Sequence, residues 1–120
     1  MRAPAATAIG MLTLATGLAA CGGPRLGHAA RAAQEARFPA ALAELEALED
    51  HLDEHRPRWR ARYCLERGLA HLAVGDLVAA DRWLRRAWAW VDEQPDLLTP
   101  AERGRLTLAW RSTGRMPGER

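Results

Sequence analysis

Apolar side chains recur at spacings of three and four residues through most of the chain, and no segment after residue 20 alternates between apolar and polar positions. A period of three to four places the apolar side chains along one face of a helix, whereas a half-buried strand would show a period of two. Turn-forming residues interrupt the pattern at intervals. The sequence therefore predicts an all-α fold of about five helices.

Capping and helix-breaking residues set the bounds of these helices. Asp76 and Thr99 are suitable N-caps, and Pro39 and Pro100 suit a first helical turn, where the missing N–H costs nothing. Gly75 suits the end of the third helix. The predicted helices cover about 28–36, 39–54, 58–74, 77–94 and 100–112. The clearest apolar stripes are Ala41, Leu42, Leu45, Leu48 and Leu52 in the second helix, and Leu77, Ala80, Leu84, Ala87, Trp88 and Val91 in the fourth.

The first twenty residues have a different character. Arg2 is their only charge, and a short, weakly hydrophobic run ends in small residues, which is the layout of a secretion signal. Leu18-Ala19-Ala20-Cys21 resembles the bacterial lipobox. The resemblance implies cleavage before Cys21 and acylation of its thiol and its new amino group with chains such as palmitate. The alternative is an ordinary signal peptide with an incidental cysteine.

The resemblance also predicts the domain organisation and the location. The expected parts are a lipoprotein signal peptide (1–20), a lipidated tether (21–27), a helical domain (28–114) and a flexible tail (115–120). The mature protein would be anchored in the cell envelope and would face the periplasm. By analogy with enterobacterial sorting, Gly22 after the cysteine favours the outer membrane over the inner membrane.

Composition narrows the classes of function. All basic residues of the chain are arginine, and removal of the signal leaves sixteen of them against fifteen acids, because Arg2 is lost from a total of seventeen. The mature protein is therefore close to neutral, which argues against nucleic acid as a partner. With Cys21 acylated, Cys64 is the only remaining thiol, so no intramolecular disulfide is expected. Cys64 is most simply a small buried apolar residue.

The stretch ARYCLERGLAHLAVGDLVAADRWLRRAWAWVD, residues 61–92, resembles a tetratricopeptide repeat. The matching positions are Gly68, Ala70, Ala80 and Ala87 as small residues between helices, Gly75-Asp76 as the turn, and Leu77 and Leu84 as large apolar residues. Cys64 and Arg67 depart from the pattern, and Pro95 falls about three residues late. The segment before it reads as the second helix of a degenerate repeat, and the fifth helix as a terminal cap. The resemblance implies a short stack of antiparallel helix pairs. The alternative is an unrelated helical bundle.

The repeat geometry implies a groove lined by the first helix of each pair. In the matched register this groove is lined by Arg62, Leu65, Glu66, Leu69 and Leu72. An extended peptide or a helix of a partner protein could bind there. Small repeat lipoproteins of this layout serve as adaptors in pilus, secretion-system or outer-membrane assembly. The expectation is therefore a lipid-anchored adaptor for an envelope protein, without enzymatic activity, cofactor or small-molecule substrate; a structural lipoprotein without a dedicated partner is a further alternative.

One short motif favours an enzyme instead. His51 and His55 flank Glu54 in the spacing H-x-x-E-H, which on an α-helix can place two imidazoles on one Zn²⁺ with the glutamate as base. A zinc-dependent hydrolase is therefore the alternative function, although no third ligand is evident. A solvated, acidic helix end explains the same residues.

Two further clusters have both a structural and a functional interpretation. The second helix carries six acidic residues, and an arginine cluster follows it, so the two helices can pair at their surface or the arginines can receive an acidic partner. Trp83 and Trp90 can pack against the terminal helix or form an aromatic binding surface. The clusters are Glu44, Glu46, Glu49, Asp50, Asp53 and Glu54, and Arg56, Arg58, Arg60, Arg62 and Arg67.

Overall fold

The computed structural model describes residues 22–114, with side chains described from Arg25 onward. This part of the chain contains five α-helices and no strand, and the helices pack as antiparallel pairs, which confirms the all-α prediction. The α-helices are α1 (Gly22–Gln34), α2 (Phe38–Leu48), α3 (Pro57–Ala73), α4 (Leu77–Glu93) and α5 (Pro100–Ser112), and two 3₁₀ turns cover Glu49–Glu54 and Pro95–Leu97.

The helices α3 and α4 form the most extensively packed pair. They are joined by a tight turn in which Gly75 has a φ of +83°, a conformation that favours glycine. Asp76 caps α4 as predicted, because its carboxylate accepts a hydrogen bond from the Ala79 N–H at 3.1 Å. Gly68 lies at the contact between the two helices, where it faces the side chain of Leu84.

The second helix is shorter than predicted. It was expected to run to about Glu54 as one α-helix, but α2 ends at Leu48 and a 3₁₀ turn continues to Glu54. The apolar stripe of this helix is nevertheless as predicted, since Ala41, Leu45, Leu48 and Leu52 are buried. Leu52, the one member of the stripe within the 3₁₀ turn, belongs to the same core as Leu45 and Leu48.

The prediction of a tether over residues 21–27 is wrong for its described part. The first helix was expected from about His28, but α1 begins at Gly22. Leu26 is fully buried and Ala29 and Ala32 follow it on the same face. Three glycines and a proline between residues 22 and 27 gave a weak helical signal in the sequence, and burial against the neighbouring helices supplies what local propensity lacks.

The fifth helix starts with the N-cap predicted at Thr99, and Glu102 extends this cap to a capping box that was not predicted. The Thr99 hydroxyl accepts a hydrogen bond from the Glu102 N–H at 3.1 Å, and the Glu102 carboxylate accepts one from the Thr99 N–H at 2.8 Å. The helix packs on both α3 and α4. Leu106, Ala109 and Trp110 face the core.

The core is continuous across all five helices, and its largest fully buried side chains include Tyr63, Leu26, Leu45, Leu65, Leu84 and Leu98. Trp88, expected in the core, is partly buried and stacks on Trp110 with ring centroids 6.3 Å apart. The predicted stripe of α4 is wrong at Leu77, which is 53% exposed. This residue lies directly after the turn, at the first position of α4.

Candidate functional site

The face of α3 that was predicted to line a groove is partly covered by α5. Leu65 and Glu66 are buried, at 0% and 4% exposure, so neither can face an open groove. Arg62 is half-buried. This part of the groove prediction is wrong because both side chains are buried in the folded domain.

Two ion pairs hold α5 on this face. Arg62 Nε lies 3.0 Å from Glu102 Oε2, and Arg105 Nη1 lies 3.0 Å from Glu66 Oε1. Burial by itself would raise the pKa of Glu102, but the hydrogen bonds from Thr99 and the positive charges of Arg62 and Arg58 outweigh it and lower that pKa. The charges that suggested a binding site therefore join two helices of the same domain.

The other two predicted groove residues, Leu69 and Leu72, line a cavity that remains open. It has a volume of about 420 Å³ and lies between the end of α1, the start of α2, the end of α3 and the second half of α5. We call it the apolar groove. Its lining residues are Ala33, Gln34, Phe38, Leu69, Ala70, Leu72, Ala73, Arg105, Leu108, Ala109 and Ser112.

The lining of the groove is mostly apolar. Arg105 is its one charged lining residue, and both of its terminal nitrogens lie within 3.4 Å of the Glu66 carboxylate, so its charge is compensated. The Ser112 hydroxyl donates to the Leu108 carbonyl oxygen within α5. Leu108 is 65% exposed at the rim. The lining offers apolar contact area and no arrangement of nucleophile and base.

A second apolar surface lies at the turn between α3 and α4. Val74, Leu77 and Val78 are exposed there, and Val78 reaches 75% exposure. Leu72 and Ala73, which line the apolar groove, directly precede this turn. The exposed turn and the groove therefore share one end of the helix stack.

The structure does not support the zinc motif. The motif requires both histidines on one α-helix, but His51 lies in a 3₁₀ turn and His55 follows it in extended backbone. His51 Nδ1 is 3.1 Å from Glu54 Oε2, while the His55 ring stacks on Trp59 with centroids 3.7 Å apart. Among the described residues, no group of three or more potential ligands could hold a metal ion. His51 and His55 therefore do not lie on one face of an α-helix, as the motif requires.

The pairing expected between the acidic and arginine clusters occurs mainly at Arg67. Its Nη1 lies 3.0 Å from Glu49 Oε2, and its guanidinium also lies over the Trp83 ring, 4.2 Å from the centroid. Most of the other arginines of the cluster reach different partners. Arg58 donates to the Leu97 carbonyl oxygen, and Arg60 donates to the carbonyl oxygens of His55 and Asp53.

Arg67 is the centre of a buried polar cluster that the sequence did not reveal. Arg67 donates to the Tyr63 hydroxyl at 3.1 Å, and Tyr63 in turn donates to the Leu45 carbonyl oxygen. Arg67 Nε also lies 3.4 Å from His71 Nε2. Burial, followed by the charge of Arg67, lowers the pKa of His71. The only sequence signal was Arg67 itself, which occupies a position where the repeat pattern expects leucine.

Trp83 was expected either to pack inside the domain or to form part of an aromatic binding surface, and the structure shows that it packs inside the domain. It is 2% exposed and packs edge-on against Tyr63, with centroids 5.5 Å apart, so it belongs to the core. It contacts α3 rather than the terminal helix named in the packing prediction. Trp90 is partly buried, with the Arg60 guanidinium 5.7 Å from its ring centroid.

Cys64 has the role expected from the sequence. It is a free thiol, 1% exposed, and burial raises its pKa to about 11. A thiol that stays protonated and inaccessible is a poor nucleophile. Cys21, the signal segment 1–20 and the tail 115–120 lie outside the described residues.

Comparisons with known proteins add no relative: no family model, curated protein or solved structure matches the chain. None of the helices within the described residues is long and apolar enough to cross a membrane.

Proposed function

We propose that this protein is a lipid-anchored, non-enzymatic adaptor whose apolar groove binds a helix of a protein partner in the bacterial cell envelope. The observation that carries the proposal is the groove itself. It is about 420 Å³ in volume, open, and lined largely by alanine, leucine and phenylalanine side chains. Exposed apolar surface of this kind, concave and with few polar groups, is typical of binding sites.

The shape and charge of the groove favour a helix as the occupant. Helix recognition commonly uses an apolar channel that receives side chains spaced by three, four and seven residues. The compensation of Arg105 by Glu66 removes the charge that would otherwise select an acidic peptide. We therefore propose the apolar face of an amphipathic helix, in place of the acidic partner that the arginine cluster first suggested.

The lipid anchor is supported by the lipobox-like sequence Leu18-Ala19-Ala20-Cys21. Two or three acyl chains would hold the protein on a membrane almost permanently, since each buried methylene contributes about 0.8 kcal/mol. The short stack of helix pairs and the terminal helix support the resemblance to tetratricopeptide repeats. The proposed roles in pilus, secretion-system or outer-membrane assembly rest on that resemblance.

Site-specific photo-crosslinking in cells of the native species tests the groove. A photoreactive residue at Leu108, at the rim of the groove, should crosslink to an apolar helical segment of another envelope protein, identified by mass spectrometry of the joined peptides. The same residue at Ala101, which is exposed on α5 outside the groove lining, is the matched control.

The outcomes separate the possible occupants. A Leu108 crosslink to a second copy of this chain, to lipid, or equally from both positions would contradict a protein partner in the groove. Absence of any crosslink from Leu108 would favour a structural lipoprotein without a dedicated partner. Leu108→Glu should abolish a specific crosslink formed from a neighbouring groove position such as Ser112, while Ala101→Glu should leave it unchanged.

A further inference from the structure

We infer that the lipid anchor and the apolar groove lie at opposite ends of the helix stack, so that the protein presents the groove and the α3–α4 turn away from the membrane. The partner would then approach from the aqueous side. The inference rests on the proposed lipid anchor and adds the orientation in which the anchor holds the domain.

The direction of the helices places the groove. Its lining includes Ala33 and Gln34 at the end of α1, Phe38 at the start of α2, and Leu72 and Ala73 at the end of α3. Successive helices run antiparallel, so these termini meet at one end of the stack. The start of α1 lies at the other end.

The start of α1 is also where the anchor attaches. Cys21 immediately precedes Gly22, the first residue of α1, and Leu26 is already fully buried in the core. Five residues in a helix span only about 7 Å, at 1.5 Å per residue. Even fully extended, the same five residues would reach about 17 Å. The lipid is therefore held close to the first buried turn of the domain.

This reach is short compared with the length of the stack. The seventeen residues of α3 span about 25 Å along the helix axis. The exposed side chains of Val74 and Val78 lie beyond its far end. Because the lipid anchor has no long linker, Val74 and Val78 would lie on the side of the domain away from the membrane. There they face water unless a partner covers them.

The concave form of the groove agrees with this orientation. The groove is open and lies between four helices, and the projecting side chains of a partner helix can enter it more closely than the surface of a bilayer can. The apolar surface is therefore better suited to a protein than to the membrane that holds the anchor.

Depth-dependent quenching tests the orientation on the full-length protein. In a Cys64→Ala background, acylated Cys21 has no free thiol, so a single new cysteine can carry a fluorophore. The positions are Arg25, Val78 and Leu108, all exposed. The purified lipoprotein is placed in phosphatidylethanolamine and phosphatidylglycerol vesicles that contain a lipid with a nitroxide on its headgroup.

The label at position 25 should lose much of its emission, and the labels at 78 and 108 should lose little. Equal loss at positions 78 and 25 would show that the α3–α4 turn reaches the membrane, and would overturn the inference. The mass of the N-terminal peptide is measured on the same sample. A peptide without acyl chains would refute the lipid anchor itself, a failure that is visible before any quenching is recorded.

Discussion

Gly68 provides the sharpest test of how α3 and α4 pack. A Cβ atom at this position would lie 2.6 Å from both Cγ and Cδ2 of Leu84, and 3.1 Å from the Leu84 backbone nitrogen. Leu84 is fully buried and cannot rotate into solvent. Even Gly68→Ala therefore forces the two helices apart or displaces Leu84.

Two opposing effects determine how much Gly68→Ala changes the free energy of unfolding. Overpacking of a well-filled core costs about 1–3 kcal/mol. Alanine is a better helix former than glycine by about 1 kcal/mol, which offsets part of that cost. We therefore expect a net loss of about 0–2 kcal/mol for Gly68→Ala. In a domain of this size, each 1 kcal/mol lowers Tm by about 4–8 °C.

Gly104 is the matched control in the same molecule. It lies inside α5, and an added Cβ would meet nothing within 4 Å. The helix-propensity gain is therefore unopposed, and Gly104→Ala should stabilise the domain by about 0.5–1 kcal/mol. Thermal unfolding followed by circular dichroism should show opposite shifts in Tm for the same substitution at the two positions.

A double-mutant cycle with Leu84→Ala identifies the atoms responsible. Removal of the Leu84 side chain makes room for the new methyl group, so Gly68→Ala should cost less in the Leu84→Ala background than in the natural protein. A stabilising Gly68→Ala, or an unchanged cost in the double variant, would refute the contact between Gly68 and Leu84.

Three further predictions concern polar groups. Because the pKa of His71 is lowered in the folded protein, the unfolded state binds more protons, and the free energy of unfolding should decrease as pH falls below about 6.5. Denaturant unfolding at several pH values should show this slope, and a His71→Gln variant with the same slope would contradict it. Thr99→Ala removes one hydrogen bond of the capping box and should cost about 1 kcal/mol, whereas Thr107→Ala, at another threonine of α5, should cost less; equal values by chemical denaturation would argue against the cap. Glu66→Ala should destabilise because it leaves Arg105 unpaired and empties a buried site, while Glu93→Ala at an exposed site should be nearly neutral; similar Tm values for the two would show that Glu66 is not part of the packed interior.

Local signals in the sequence determined most of the helices. The three- and four-residue spacing of Ala41, Leu45, Leu48 and Leu52 depends only on which side chains avoid water. The caps at Asp76 and Thr99 and the turn at Gly75 depend on chemistry within a few residues. Such interactions do not need the rest of the fold, and for this reason they could be read from the sequence.

Tertiary packing decided which residues of α3 line the apolar groove. The sequence placed Leu65, Glu66, Leu69 and Leu72 on one face of α3. It could not show that the first two are buried, with Glu66 paired to Arg105 of α5, and that the other two line an open groove. Burial of Leu26 extended α1 toward Cys21, despite glycines that disfavour a helix. Contacts between helices are set by how complete surfaces fit together, and this information is distributed over residues far apart in the chain.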